Sequence, residues 1–116
     1  MELHEMWEAK LDEIFMELGF TYAMQGTVYL REMVAWYKPG KQFKEYYGTV
    51  GQLHKVSPGA VERAARYAIR RATGRLGYCF EAWAKYFGNS INPETGAPTV
   101  SEFVTRVWRL VCGPNT

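Results

Sequence analysis

The chain has 116 residues, 47% of them apolar and 22% charged, with a formal net charge of +2. That length suits one folded domain with a real core, and the composition excludes a disordered chain. No apolar run approaches the ~18 residues of a membrane span, and the acidic first residues exclude a secretory signal, so the chain reads as a cytoplasmic protein.

The small net charge hides an asymmetry. Residues 1–18 hold six acids (Glu2, Glu5, Glu8, Asp12, Glu13, Glu17) and one base, Lys10. Residues 19–116 carry thirteen bases against six acids, a balance compatible with a polyanionic partner. Cys79 and Cys112 form no C-x-x-C pair, and His4 and His54 lie far from them. No zinc pattern results. Both cysteines read as small buried hydrophobes in a reducing compartment, and no metal or cofactor is expected.

Apolar residues recur at helical spacing in residues 2–18, at Leu3, Trp7, Leu11, Ile14, Phe15 and Leu18, with acids on the other face. Gly19 is a natural stop. Residues 1–19 are expected to be an acidic amphipathic helix within the same domain as residues 20–112, followed by a tail at 113–116. A second helix is expected from Met24 to Tyr37, with Val28, Leu30, Met33, Val34 and Tyr37 inward, ended by Pro39-Gly40. A third covers 42–54, with Phe43, Tyr46, Tyr47, Val50 and Leu53 inward. Gly48 and Gly51 weaken it, each by ~1 kcal/mol relative to Ala, unless they permit close helix packing.

The fourth helix has the clearest start. Ser57 is a good N-cap and Pro58 suits the first helical position. Val56 and Val61 occupy the positions of a hydrophobic staple. The helix runs to about Thr73, with Gly74 behind it. A short fifth helix covers Phe80–Phe87, closed by Gly88. Residues 89–98 form a polar loop with Pro93, Gly96 and Pro98. Thr99-Val100-Ser101-Glu102 is a capping-box pattern opening the last helix, which carries Phe103, Val107, Leu110 and Val111 inward and stops at Gly113-Pro114. The fold expected is all-α, with about six helices.

The chemistry concentrates on the fourth helix. At 100° per residue, Val61, Ala64, Ala65, Ala68, Ile69 and Ala72 line one face, and the alanines let it lie close to the helix before it. Glu62, Arg63, Arg66, Tyr67 and Arg70 face the other way, and Arg63, Arg66 and Arg70 form one stripe. An arginine fork matches guanine O6 and N7, and a glutamate accepts from cytosine N4. Glu62 stands four residues before Arg66 and can orient it. This is the pattern of a recognition helix in a helix-turn-helix, where side chains reach bases and flanking groups grip phosphate. The expected base contacts are Glu62, Arg63, Arg66 and Tyr67. The expected phosphate contacts are Ser57 and Gly59 at the helix N-terminus, with Lys44, Lys55 and Arg70. Lys41 and Arg75 are further candidates.

The plain alternative is a solvated face of an ordinary amphipathic helix. Trp7, Trp36, Trp83 and Trp108 read as core rather than a stacking platform, and His54 as a phosphate contact or surface residue. No Ser-His-Asp arrangement, carboxylate pair or Gly-rich phosphate loop can be assembled, so no enzyme is expected.

Four segments in one order, Tyr29-Leu30-Arg31-Glu32, Val61-Glu62-Arg63-Ala64-Ala65-Arg66-Tyr67-Ala68-Ile69, Tyr86-Phe87-Gly88-Asn89 and Pro98-Thr99-Val100-Ser101-Glu102-Phe103, make residues 18–111 resemble the C-terminal DNA-binding domains of stage 0 sporulation protein A. The resemblance implies six helices, with a helix-turn-helix from the third and fourth. It implies a major-groove contact by the fourth helix, binding to adjacent boxes in tandem, and base reading by Glu62, Arg63 and Arg66. Tyr67 stands where the family has His, and Ala60 where it often has Arg. Thr95 and Ala97 replace expected lysines, which predicts weaker binding and a shallower salt slope. The family's receiver domain has no counterpart here. The start at Met1 favours a stand-alone paralogue over a fragment, with no control by aspartyl phosphorylation. The first helix is then a candidate dimerisation element through Leu3, Trp7, Leu11, Ile14 and Leu18. The expected function is sequence-specific binding of double-stranded DNA in transcription, as a homodimer or in tandem on DNA. The alternative is a protein-interaction module that kept the fold and lost productive DNA binding. A third reading is a mobile-element regulator that reads another sequence on the same scaffold.

Overall fold

Helix ends are written into this chain by a few residues each. In the computed structural model, which describes the backbone of residues 2–74, 79–88 and 96–111 and side chains from residue 7 onward, six helices occur in order. They are α1 Glu2–Glu17, α2 Gln25–Trp36, α3 Phe43–His54, α4 Pro58–Gly74, α5 Phe80–Phe87 and α6 Val100–Val111. No strand occurs among the described residues, so the fold is all-α.

Gly19 ends α1 as expected. At φ +91° it takes a left-handed turn open to glycine. Its N–H donates to the Met16 carbonyl at 3.1 Å and that of Phe20 to the Phe15 carbonyl at 3.1 Å, a Schellman motif. The accompanying apolar contact is Phe15 against Phe20, ring centroids 5.1 Å apart. At α6 the capping box closes reciprocally: the Glu102 N–H donates to Thr99 Oγ1 at 3.1 Å, and the Thr99 N–H to Glu102 Oε1 at 3.0 Å.

One core holds all six helices. Leu11 and Ile14 of α1, Leu18 just past its end, Leu30, Met33 and Val34 of α2, and Phe103, Val104 and Val107 of α6 are fully enclosed. Trp83 of α5 is enclosed too, and its indole N–H donates to the Leu18 carbonyl at 2.9 Å. That satisfies both a buried donor and an end-of-helix acceptor.

Leu11, Ile14 and Leu18 are therefore committed to this core, and the expectation that they form a dimer seam is corrected. The acids of α1 are also partly engaged. Asp12 takes Arg31 Nε at 2.9 Å and the Tyr22 hydroxyl at 2.6 Å, and Glu17 takes the Tyr86 hydroxyl. Arg31, part of a motif that suggested function, is thus a clamp between α2 and α1.

Other expectations are also revised. Leu53 is 56% exposed and Trp36 40%, so neither is core. Trp7 and Trp108 are half-buried against the core. His54 Nε2 lies 2.9 Å from Glu32 Oε1 and its ring packs on Tyr29, so it ties α3 to α2 and is not a free phosphate contact. Cys79 is half-buried. Cys112, Arg75, Thr95, the Gly113-Pro114 stop and the 113–116 tail lie outside the described residues.

Gly48 and Gly51 differ in their roles. A Cβ on Gly51 would stand 2.6 Å from the Val56 carbonyl oxygen, so the turn after α3 needs a bare backbone there. A Cβ on Gly48 meets nothing within 4 Å. Gly48→Ala is expected to stabilise the protein by about 0.5–1 kcal/mol through helix propensity and a less disordered unfolded chain. A rise in the urea midpoint at unchanged m-value checks this.

The phenol–carboxylate contacts of α1 give a pH signature. Burial, reinforced by the hydrogen bond to Asp12, pushes the Tyr22 phenol up to about 12, and burial with the Glu17 contact does the same for Tyr86. The folded values lie above the unfolded value of about 10. Their contribution is full below pH 10 and is lost as pH rises from about 10 toward 12. Urea midpoints taken at pH 9 and pH 11 should fall, and the fall should shrink in Tyr22→Phe/Tyr86→Phe.

Candidate nucleic-acid interface

The α3–α4 turn is short and strongly determined. Lys55 ends α3 at φ 60°, a left-handed conformation usually left to glycine or asparagine. The N–H groups of Lys55 and Val56 both turn back to the Gly51 carbonyl, the latter at 2.9 Å. Ser57 then caps α4: its Oγ accepts the Ala60 N–H at 3.1 Å. Val61 is fully buried below this turn, while Val56 stays 38% exposed.

The inner face of α4 is the one its sequence marks. Val61, Ala65, Ala68, Ile69 and Ala72 are buried and Ala64 is half-buried. The small side chains serve a closer neighbour than expected, because α4 packs on α2 as well as on α3. Gly26 of α2 lies directly over the Ala64 carbonyl, where an added Cβ would come within 2.0 Å. Nothing in the hydrophobic spacing of α2 singled this glycine out.

The outer face divides into two edges. Glu62, Arg66 and Arg70 share a groove of about 450 Å³ with Phe43 and Tyr47 of α3 and with residues 97–101 leading into α6. Arg63 and Tyr67 lie about 100° further round the helix, and Tyr67 is 55% exposed. Within the groove Glu62 and Arg66 form an ion pair one helical turn apart. The Arg63 guanidinium folds back over the first turn, with Nη1 3.3 Å from where a Gly59 Cβ would stand.

Ser57, Gly59, Lys55 and Lys44 are all exposed. Ser57, Gly59 and Lys55 cluster at the turn and the start of α4, Lys44 stands at the start of α3, and none of the four lines the groove. Lys41 Nζ is 3.9 Å from Glu45 Oε1 and sits over the Tyr46 ring. The spacing of charges missed Tyr47, because its place beside Glu62 depends on how α3 crosses α4. Burial pushes the Tyr47 phenol up, the Glu62 charge adds to this, and Arg66 opposes it.

Among the described residues no group of three or more His, Cys, Asp or Glu could hold a metal ion, and no helix is long and apolar enough to cross a membrane. The face offers a stripe of guanidinium forks on a rigid helix, a geometry suited to planar acceptors such as base edges and phosphates. No solved structure matches the chain significantly. The family model described as sporulation initiation factor Spo0A C terminal matches residues 11–111. The chain therefore belongs to the family of Spo0A C-terminal domains, the DNA-binding effector domains of sporulation regulators.

Proposed function

We propose that the chain is a sequence-specific regulator of transcription that binds double-stranded DNA, with α3 and α4 as its helix-turn-helix. In this reading α4 enters the major groove. Glu62, Arg63, Arg66 and Tyr67 contact base edges, and Ser57, Gly59, Lys55, Arg70 and Lys44 contact phosphates. Residues 20–112 act as the DNA-binding unit, with α1 completing its core, and copies bind singly or in tandem on adjacent boxes.

One observation carries the reading. The exposed Arg63, Arg66, Tyr67 and Arg70 stand on a helix whose opposite face is packed to the backbone against α2. Such a helix projects its forks from a fixed backbone, so little backbone freedom is lost on binding.

The test is a fluorescence-anisotropy titration of the chain against a duplex with the sporulation-regulator box and a scrambled duplex, at two salt concentrations. A clear preference for the box supports the reading. Equal, salt-sensitive binding to both points to another operator, to be found by selection. No binding at low salt overturns it in favour of a protein-interaction module.

A further inference from the structure

Arg71 is the one arginine of α4 that the contact set above leaves unused. It is exposed, in the last turn of the helix. Among the described residues no ion pair engages it. Arg71 stands four residues after Tyr67 and eight after Arg63, so it continues their edge of the helix. It also stands nine residues after Glu62, about two and a half turns, which puts the two on opposite flanks.

Those flanks have different surroundings. Glu62, Arg66 and Arg70 line the groove shared with α3 and the start of α6, and Arg71 does not. Next round the helix from Arg71 come Ala64 and Ala68, which lie under Gly26 of α2. The first turn of α2 holds no acid, so no carboxylate there stands against an anion.

DNA needs cations on both flanks. A helix with its side chains is about 10–12 Å across and the major groove about 12 Å wide, so a seated helix turns one flank to each phosphate wall. In the proposed contact set, Arg70 and Lys44 serve the flank beside α3 and α6. Ser57, Gly59 and Lys55 serve the helix start, where the Arg63 guanidinium also folds back. The other flank, toward the C-terminus of α4, has Arg71 alone. Its fork suits a phosphate, which it can hold through two N–H donors. The plain role for a cation in a last turn is to offset the negative end of the helix dipole. That role needs no DNA.

We propose that Arg71 is a phosphate contact on the strand opposite to the one held by Arg70, so that two adjacent arginines clamp both walls of the major groove. This rests on the docking of α4 in the major groove proposed above.

Two measurements test it. The first is the salt dependence of binding to the best duplex from selection and to its scrambled counterpart. Arg71→Gln is expected to weaken both about fivefold, to make the salt slope shallower by about 0.9, and to leave the preference between them intact. Arg71→Lys keeps the charge and should keep the slope. A role confined to the helix dipole would lower the thermal midpoint of Arg71→Gln and leave its slope at the wild-type value, and that result overturns the proposal.

The second places single neutral methylphosphonates along each strand of the selected duplex. In Arg71→Gln one position that weakens wild-type binding should cease to matter, and in Arg70→Gln a position on the other strand. Positions on the same strand, or none silenced in Arg71→Gln, overturn the clamp. A wild-type chain that binds no duplex at low salt overturns the DNA-binding reading and this role with it, whereas wild-type binding that Arg71→Gln leaves unchanged overturns this role alone.

Discussion

Gly26→Ala is expected to be the most damaging conservative substitution in this protein, costing on the order of 3 kcal/mol of stability. The added Cβ would stand 2.0 Å from the Ala64 carbonyl oxygen, 2.6 Å from its carbon and 3.0 Å from the Ala68 Cβ. The first two obstacles are backbone, so no rotamer change relieves them. The helices must separate, and separation opens gaps among Leu30, Ala65 and Ala68, which are packed without exposure to solvent. Helix propensity acts in the opposite direction by only about 1 kcal/mol. Against a total stability of about 5–15 kcal/mol for a domain, the net loss should appear as a large drop in urea midpoint. The contrast with Gly48→Ala makes the result specific, since the same change in α3 is expected to stabilise. A loss below about 1 kcal/mol for Gly26→Ala would show that α2 and α4 move apart freely.

The contrast between the two glycines shows what the sequence made legible. Helix ends are local events, so Gly19, Ser57-Pro58 and Thr99–Glu102 could be read from a few neighbouring residues, and each acts as its residue types dictate. The buried face of α4 was legible because one helix with a strong 3.6-residue period reveals its own inside. What stayed hidden depends on two helices at once. The Gly26 contact, the Glu32–His54 tie and the place of Tyr47 are set by crossing geometry, for which no single-helix pattern exists. Leu53 erred the other way: it keeps the period of α3 at a position past the end of its covered stripe and remains exposed. The acids of α1 looked like a solvated face because their partners Tyr22, Arg31 and Tyr86 lie 10, 19 and 69 residues away. The proposed base readers could be picked from charge and period alone, whereas the groove that splits them into two edges could not.

On the proposed reading, Arg66→Ala should lower affinity for the preferred duplex by about 1–3 kcal/mol and relax selectivity at one base pair. Lys44→Ala should instead weaken preferred and scrambled duplexes alike and make the salt slope shallower by about 0.9. Equal weakening of both duplexes by Arg66→Ala would overturn base reading by this residue. The Glu62 ion pair raises the expected size of the Arg66 effect. In the free protein the Glu62 carboxylate is compensated by Arg66. Arg66→Ala leaves that negative charge uncompensated against a polyanion, in a groove that excludes part of the solvent. The double variant Glu62→Ala/Arg66→Ala should therefore bind the preferred duplex more tightly than Arg66→Ala alone, a non-additivity that a double-mutant cycle reads directly. Strict additivity would mean that the pair is broken on binding and that Glu62 and Arg66 act on DNA independently. Non-additivity would mean that the two side chains enter the major groove as one unit, whose orientation is set before DNA arrives.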